Sequence, residues 1–263
     1  MTHRAQVLLL DLEGTIYTRD GLITGASEAI AQLRTDGHTL RFLTNTDSAA
    51  TADLLIKVRT MGIDIADGEL FTPVGAVRAL VDSEASIRLL TLTTPAVRTE
   101  LAEGFELAET SESATHVIVG DVRTTLDYAL LDAAFAALHD GATLVALQRG
   151  RFFLSGGQPH LDTGAVVAAL EYAAGVKAQV VGKPSPRFLE LALSTIKGNP
   201  SREDIWVVGD DRTTDIPMAL AAGAHAVQVR TGKFALQDDE SAKASFVVDS
   251  IADVPRLIRT QPR

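Results

Sequence analysis

The run Val7-Leu8-Leu9-Leu10, passing straight into Asp11-Leu12-Glu13-Gly14-Thr15, constrains the fold more than any other stretch of the chain. A short, wholly apolar run reads as a strand buried on both faces, the habit of parallel sheets covered by helices, and such sheets place ligands at the carboxyl ends of their strands. Asp11 stands at that end. Taken singly, Asp11 and Glu13 read equally well as polar turn residues or as carboxylates placed for chemistry. The pattern then recurs three times. Leu40-Arg41-Phe42-Leu43 ends in Thr44-Asn45, Gln179-Val180-Val181 in Gly182-Lys183-Pro184-Ser185-Pro186, and Ile205-Trp206-Val207-Val208 in Gly209-Asp210-Asp211, with Asp215 close behind. Helix capping or a plain turn would account for each of these ends alone. Together they supply a nucleophile, a hydroxyl, a cation and a carboxylate cluster.

The segments between the strands carry helical periodicity. Ala26, Ala29, Ile30 and Leu33 fall on one face, Asp36-Gly37 closes that helix, and a second runs to about Met61-Gly62. Ile16-Tyr17 and Asp20-Gly21-Leu22-Ile23 read as a small hairpin. Strand, helix, strand, helix at this spacing is a βαβα unit. From Val77 to about Ala178 the chain has strands of its own at Ile87–Leu90, His116–Val119 and Thr143–Ala146. It also has helices over 128–138 and 163–174, and a hairpin arm from Arg149 through Ser155-Gly156-Gly157. The expected architecture is α/β, a Rossmann-like parallel sheet core interrupted by an inserted α/β domain. Its boundaries fall at 1–76 and 179–263 for the core and 77–178 for the insertion. A chain of 263 residues can bury two such cores.

A formal charge of -10 argues against nucleic acid, whose phosphates need clustered Lys and Arg, but a metal ion can bring phosphate to an acidic protein. No cysteine is present, which excludes disulfides, thiolate metal sites and cysteine nucleophiles. No apolar stretch approaches a membrane span or a signal-peptide core, so the expectation is a soluble cytoplasmic protein without a membrane partner. The six histidines, at 3, 38, 116, 139, 160 and 225, lack ligand spacing for zinc and read mostly as surface or strand-end residues. Arg230-Thr231-Gly232-Lys233 lacks the glycine pattern of a phosphate loop and reads as a loop with solvated charges.

The residue types at the four strand ends suit phosphoryl transfer. A carboxylate such as Asp11 can attack phosphorus and form an acyl phosphate that water then hydrolyses. Bringing anion to anion requires positive charge, which Mg2+ held by Asp11 and Asp210 would supply, with Asp215 orienting the waters bound to the metal. Lys183 would neutralise the nucleophile, and the Thr44 hydroxyl would bind phosphate oxygens. Glu13 would protonate the leaving oxygen and then activate water, and its length also lets it reach the metal.

The ordered set Asp11-Leu12-Glu13-Gly14-Thr15, Thr44-Asn45, Gly182-Lys183-Pro184-Ser185-Pro186 and Gly209-Asp210-Asp211 through Asp215 resembles the four motifs of the haloacid dehalogenase superfamily across essentially the whole chain. The large insertion resembles the α/β cap of its class IIA, NagD-like branch. The resemblance implies a Rossmann-like core, a mobile cap and a Mg2+-dependent phosphatase acting on a small phosphorylated metabolite through an aspartyl phosphate. It implies substrate contacts from Asn45 and Asp121, and it allows a homodimer through the cap. Arg149, beside the hairpin arm, reads first as part of an exposed charged edge and second as a group that would read an anionic part of the substrate. One departure stands out. The family's phosphatase pattern has aspartate two residues after the nucleophile, and here Glu13 carries its carboxylate about one bond farther out, where a misplacement on the order of 1 Å costs roughly a hundredfold in rate. The substitution predicts a slow or narrowly selective phosphatase. The alternative is a catalytically weak relative that binds a phosphorylated metabolite in a regulatory role.

Overall fold

The computed structural model describes residues 4–81, 86–155, 158–236 and 243–261; His3 and the Gly156-Gly157 part of the expected hairpin lie outside them. The chain divides into two compact units. One comprises Met1–Thr44, Leu54–Phe71 and Lys183–Arg263, the other Asn45–Asp53 and Thr72–Gly182.

The first unit is built on a six-stranded sheet in the order Phe246–Val248, His225–Val229, Ile205–Gly209, Val7–Asp11, Thr39–Leu43, Leu70–Phe71. Every neighbouring pair is parallel. Val7–Asp11 is the central strand and is buried along its whole length, as its unbroken apolar run requires. The chain leaves it first toward Thr39–Leu43 and returns on its other side at Ile205–Gly209. Strand order therefore reverses at Val7–Asp11, which makes the carboxyl ends of the two adjoining strands the natural ligand crevice. The helix Ala26–Thr35 buries Ala26, Ala29, Ile30 and Leu33 in one core with Leu8, Leu10, Trp206 and Val208, the face its periodicity selects. Pro186–Ser194 starts on proline, whose missing N–H costs nothing in the first turn, and buries Phe188, Leu189, Ala192 and Leu193.

The second unit has its own parallel sheet in the order Gln179–Val180, Thr143–Ala146, His116–Val119, Arg88–Leu92, Glu106–Leu107. The helices Tyr128–His139 and Thr163–Ala174 bury Ala134, Ala137, Leu138, Val167 and Leu170 in a core with Val117, Val119 and Leu144. Asp127 caps the first helix by accepting the Leu130 N–H at 2.7 Å. An antiparallel hairpin pairs Phe152–Ser155 with Gln158–Leu161.

One local expectation changes, and two short strands escape the sequence pattern. Gln179–Val180 does not join the first sheet; it pairs with Val145 and Ala146 and closes the edge of the second. Leu70–Phe71 and Glu106–Leu107 are strands of two residues, too short to show periodicity. The helix that follows Thr44 begins only at Thr51. Two histidines are interior: His38 and His116, each beside the start of a strand, are buried. Among the described residues no helix is long and apolar enough to cross a membrane.

Candidate active site

Parallel register brings the strand ends of the first unit together. Asp11 is the last residue of its strand and lies opposite Leu43, so Thr44 is one residue beyond it on the neighbouring strand. On the other side Leu10 lies opposite Val208, and Asp210 follows directly after Gly209. Asp11, Asp210 and Asp215 each present a carboxylate oxygen within 4.8 Å of the others, and all three are buried.

Lys183 enters this cluster from outside the sheet. Its side chain is only 3% exposed, and its ammonium donates to Asp11 Oδ1 and, at 2.7 Å, to Asp215 Oδ1. Burial works against its charge, but Asp11 and Asp215 outweigh burial and raise its pKa. Burial, and next the charge of Asp11, push the Asp210 carboxyl above the usual carboxylate range, and burial raises Asp215 as well. Asp211 goes the other way. Burial would raise it, yet Lys233 Nζ at 2.9 Å and the Thr213 N–H and hydroxyl at 2.7 and 2.6 Å hold it low.

Two features fit a divalent cation to these residues. Asp11 Oδ2 is buried without a hydrogen-bond partner, a state that costs about 1–3 kcal/mol or more for a charged group unless something binds it. In addition, three buried carboxylates (Asp11, Asp210, Asp215) gather around one buried ammonium, Lys183, and such an excess of acidic groups over cations is what a hard divalent ion offsets. An all-oxygen donor set suits Mg2+ rather than a thiophilic metal.

The remaining expected residues are placed differently. Thr44 is buried, with its N–H donating to the Phe71 carbonyl at 3.1 Å. Glu13 is exposed and is not part of the three-carboxylate group. Asn45, Asp121 and Arg149 belong to the second unit. There Asp121 accepts from Arg123, through its backbone N–H at 3.0 Å and its Nε at 2.9 Å, and these bonds hold the Asp121 carboxyl low. The Arg123 guanidinium lies over the Phe153 ring, 4.2 Å from its centre. Arg149 is engaged by Glu171, with Nη1 to Oε1 at 3.0 Å.

Two features of the structure were not legible in the sequence. Asp47, three residues past Thr44, is buried in the second unit and accepts from the Thr163 hydroxyl at 2.6 Å, with its carboxyl pushed up to about 7 by burial. The segment Arg230-Thr231-Gly232-Lys233 is more than a solvated loop. Thr231 donates to the Gly14 carbonyl, and the Lys233 N–H donates to Asp210 Oδ2 at 2.6 Å. The one usable signal was that this glycine follows another apolar strand, His225–Val229, next to the strand carrying Asp210. Gly14 has φ +96°, and a Cβ there would sit 2.2 Å from Asp210 Oδ2, so both conformation and space demand glycine.

Known proteins resemble this chain over nearly its whole length. Residues 8–105 match the family described as Haloacid dehalogenase-like hydrolase, and residues 180–254 match the one described as HAD-hydrolase-like. Haloacid dehalogenase-like hydrolase domain-containing protein 2 of Bos taurus is 35% identical over 240 residues, 91% of this chain and 90% of its own length. Phospholysine phosphohistidine inorganic pyrophosphate phosphatase of Bos taurus is 34% identical, covering 95% of this chain and 93% of its own. Among solved structures, a 4-nitrophenylphosphatase from Thermotoga maritima gives a TM-score of 0.86 at 26% identity over 97% of each chain. NagD from E. coli K-12 gives 0.81 at 25% identity, over 96% of this chain and 98% of that one. With relatives of this identity spanning nearly its full length, and with carboxylates and a lysine at the same strand ends as the motifs it resembles, the chain belongs to the haloacid dehalogenase-like hydrolases, in the branch that holds NagD and the nitrophenyl phosphatases.

Proposed function

We propose that the chain, a phosphatase by family, hydrolyses a small phosphate ester through an aspartyl phosphate formed on Asp11. The observation that carries this reading is the state of Asp11: one oxygen is anchored by a buried lysine, and the other is buried with no hydrogen-bond partner. A carboxylate so held is oriented and has an oxygen to commit. Asp11 attacks phosphorus while the bond to the leaving oxygen breaks and Glu13 donates a proton to that oxygen. In the second step Glu13 takes a proton from water, the water oxygen attacks phosphorus, and the Asp11 carboxylate departs. Lys183 holds one Asp11 oxygen in place and offsets charge on the phosphoryl group, and the Thr44 hydroxyl binds its oxygens. Asp11, Asp210 and Asp215 would hold Mg2+, which supplies the positive charge that lets two anions meet.

Asn45, Asp121 and Arg149 are our candidates for substrate selection. Asp121 and Arg149 would act as the pairs Asp121–Arg123 and Arg149–Glu171, because each already has its partner. The related phosphatase named for phospholysine, phosphohistidine and inorganic pyrophosphate widens the substrates worth testing to P–N and P–O–P bonds.

A second reading is favoured by one observation, the exposure of Glu13 apart from the carboxylate group. A glutamate unable to deliver its proton would leave a chain that binds a phosphorylated metabolite with Mg2+ and turns it over little. Phosphate release from 4-nitrophenyl phosphate, with and without Mg2+, separates the two for the native chain, Asp11→Asn and Glu13→Asp. Mg2+-dependent release that disappears in Asp11→Asn supports the phosphatase. Release that persists in Asp11→Asn overturns it. Release seen only in Glu13→Asp supports the second reading.

A further inference from the structure

We infer that the turn Thr231-Gly232-Lys233 is a positioning element for the metal-binding carboxylates, fixing Asp210 so that the site selects Mg2+ over a larger cation; this rests on the metal reading proposed above. Two contacts converge on Asp210 and on the turn that follows Asp11, and a third engages the neighbouring Asp211. The Lys233 N–H donates to Asp210 Oδ2 at 2.6 Å. The Thr231 hydroxyl donates to the Gly14 carbonyl, tying the two turns together. Lys233 Nζ lies 2.9 Å from Asp211 Oδ2 and engages the neighbouring carboxylate.

Gly232 is the pivot. Its φ is +60°, and a Cβ there would fall 2.0 Å from Asp210 Oδ2 and 2.6 Å from Gly14 Cα. Gly14 and Gly232 thus pack backbone against backbone around that oxygen. Contact of this kind leaves the Asp210 carboxylate little freedom to swing.

The consequence for a cation follows from coordination chemistry. Mg2+ demands near-ideal octahedral geometry at short distance, whereas Ca2+ accepts more ligands, longer distances and bidentate carboxylates. A carboxylate with one oxygen committed to a backbone amide favours single-oxygen coordination, the habit that suits Mg2+. Loosening the turn would let Asp210 rotate, which harms Mg2+ more than Ca2+. Partners that orient metal ligands typically change metal affinity by roughly ten- to a hundredfold when removed.

The test is calorimetric titration of Mg2+ alone and Ca2+ alone into the full-length native chain, Thr231→Val, Thr231→Ser and Gly232→Ala, with thermal unfolding in chelator as a folding control. Thr231→Val keeps the shape and removes the hydroxyl. We expect its Kd for Mg2+ to rise by roughly tenfold, its Kd for Ca2+ to rise less, and Thr231→Ser to bind as the native chain does. Gly232→Ala should lose more, and if it fails to fold, Thr231→Val carries the test. Native Mg2+ affinity and native Mg2+ over Ca2+ preference in a folded Thr231→Val would overturn the inference while leaving the phosphatase reading intact. Failure of the native chain itself to bind Mg2+ would overturn the metal reading and this inference with it.

Discussion

Replacing Lys183 with methionine keeps an unbranched apolar stem in a site where the native side chain is 3% exposed, and removes only the ammonium. Asp11 and Asp215, with side chains 7% and 1% exposed, then lose their shared cation while remaining out of water. Breaking a buried pair by deleting one partner costs on the order of 3–5 kcal/mol when the orphaned group stays charged. The carboxylates have a way out, which is to take up a proton. The Asp215 carboxyl is already above the usual range through burial, and losing the ammonium raises it further. The folded variant therefore holds protons that the unfolded chain releases above about pH 4. Its stability is greatest below that pH and falls as pH rises through the raised folded value. Urea unfolding of the native chain and Lys183→Met in chelator, at pH 5 and pH 8, should show a deficit near the full figure at pH 8 and a smaller one at pH 5. Mg2+-dependent phosphate release should fall by roughly a hundred- to a thousandfold, the cost typical of removing one charge-stabilising group. A deficit below about 1 kcal/mol, the worth of a solvent-exposed pair, or one that does not grow with pH, would refute the claim that this lysine offsets the burial of the carboxylates around it.

Asp47→Asn probes the second unit: burial raises the Asp47 carboxyl from 3.8 to about 7, so the native chain should lose up to roughly 4 kcal/mol as pH rises across that window, and the variant should lack this slope in urea unfolding because an amide oxygen can still accept from Thr163; parallel slopes would count against it. Gly209→Ala would set a methyl 2.2 Å from Asp215 Cγ, and we expect about 1–3 kcal/mol lost to overpacking with a steep drop in Mg2+-dependent phosphate release, whereas native turnover would show that Asp215 tolerates displacement. Glu13→Asp should speed release from 4-nitrophenyl phosphate by up to roughly a hundredfold if proton delivery limits the native chain, and an unchanged rate with every substrate tried would remove the significance given to Glu13.

The chemistry-bearing residues were legible where they stand at the ends of apolar strands, because burial on both faces and a polar turn are local properties of a few consecutive residues. Asp11, Lys183, Asp210 and Asp215 were found this way, and the structure brings them into one buried cluster. Residues whose part depends on what lies opposite were not legible. The Arg230–Lys233 segment has no motif of its own; it matters because His225–Val229 pairs with Ile205–Gly209 and delivers the Lys233 amide to Asp210. Arg149 and Asp121 could be noticed as charged residues near strand ends, but their partners Glu171 and Arg123 are set by a helix and a turn whose placement no spacing rule gives.

By itself, then, the sequence determined a parallel α/β core with an inserted α/β segment, and four strand ends carrying an aspartate, a threonine hydroxyl, a lysine and further carboxylates. Hydrophobic periodicity and turn chemistry act over a few residues and can be read along the chain. Tertiary structure alone decided that Gln179–Val180 closes the second sheet, that Asp47 is buried, that Glu13 stands apart from the carboxylate group, and that Gly14 and Gly232 enclose Asp210. Those outcomes depend on register and close packing between segments up to about two hundred residues apart, and register is fixed only when whole apolar faces are matched across the sheet.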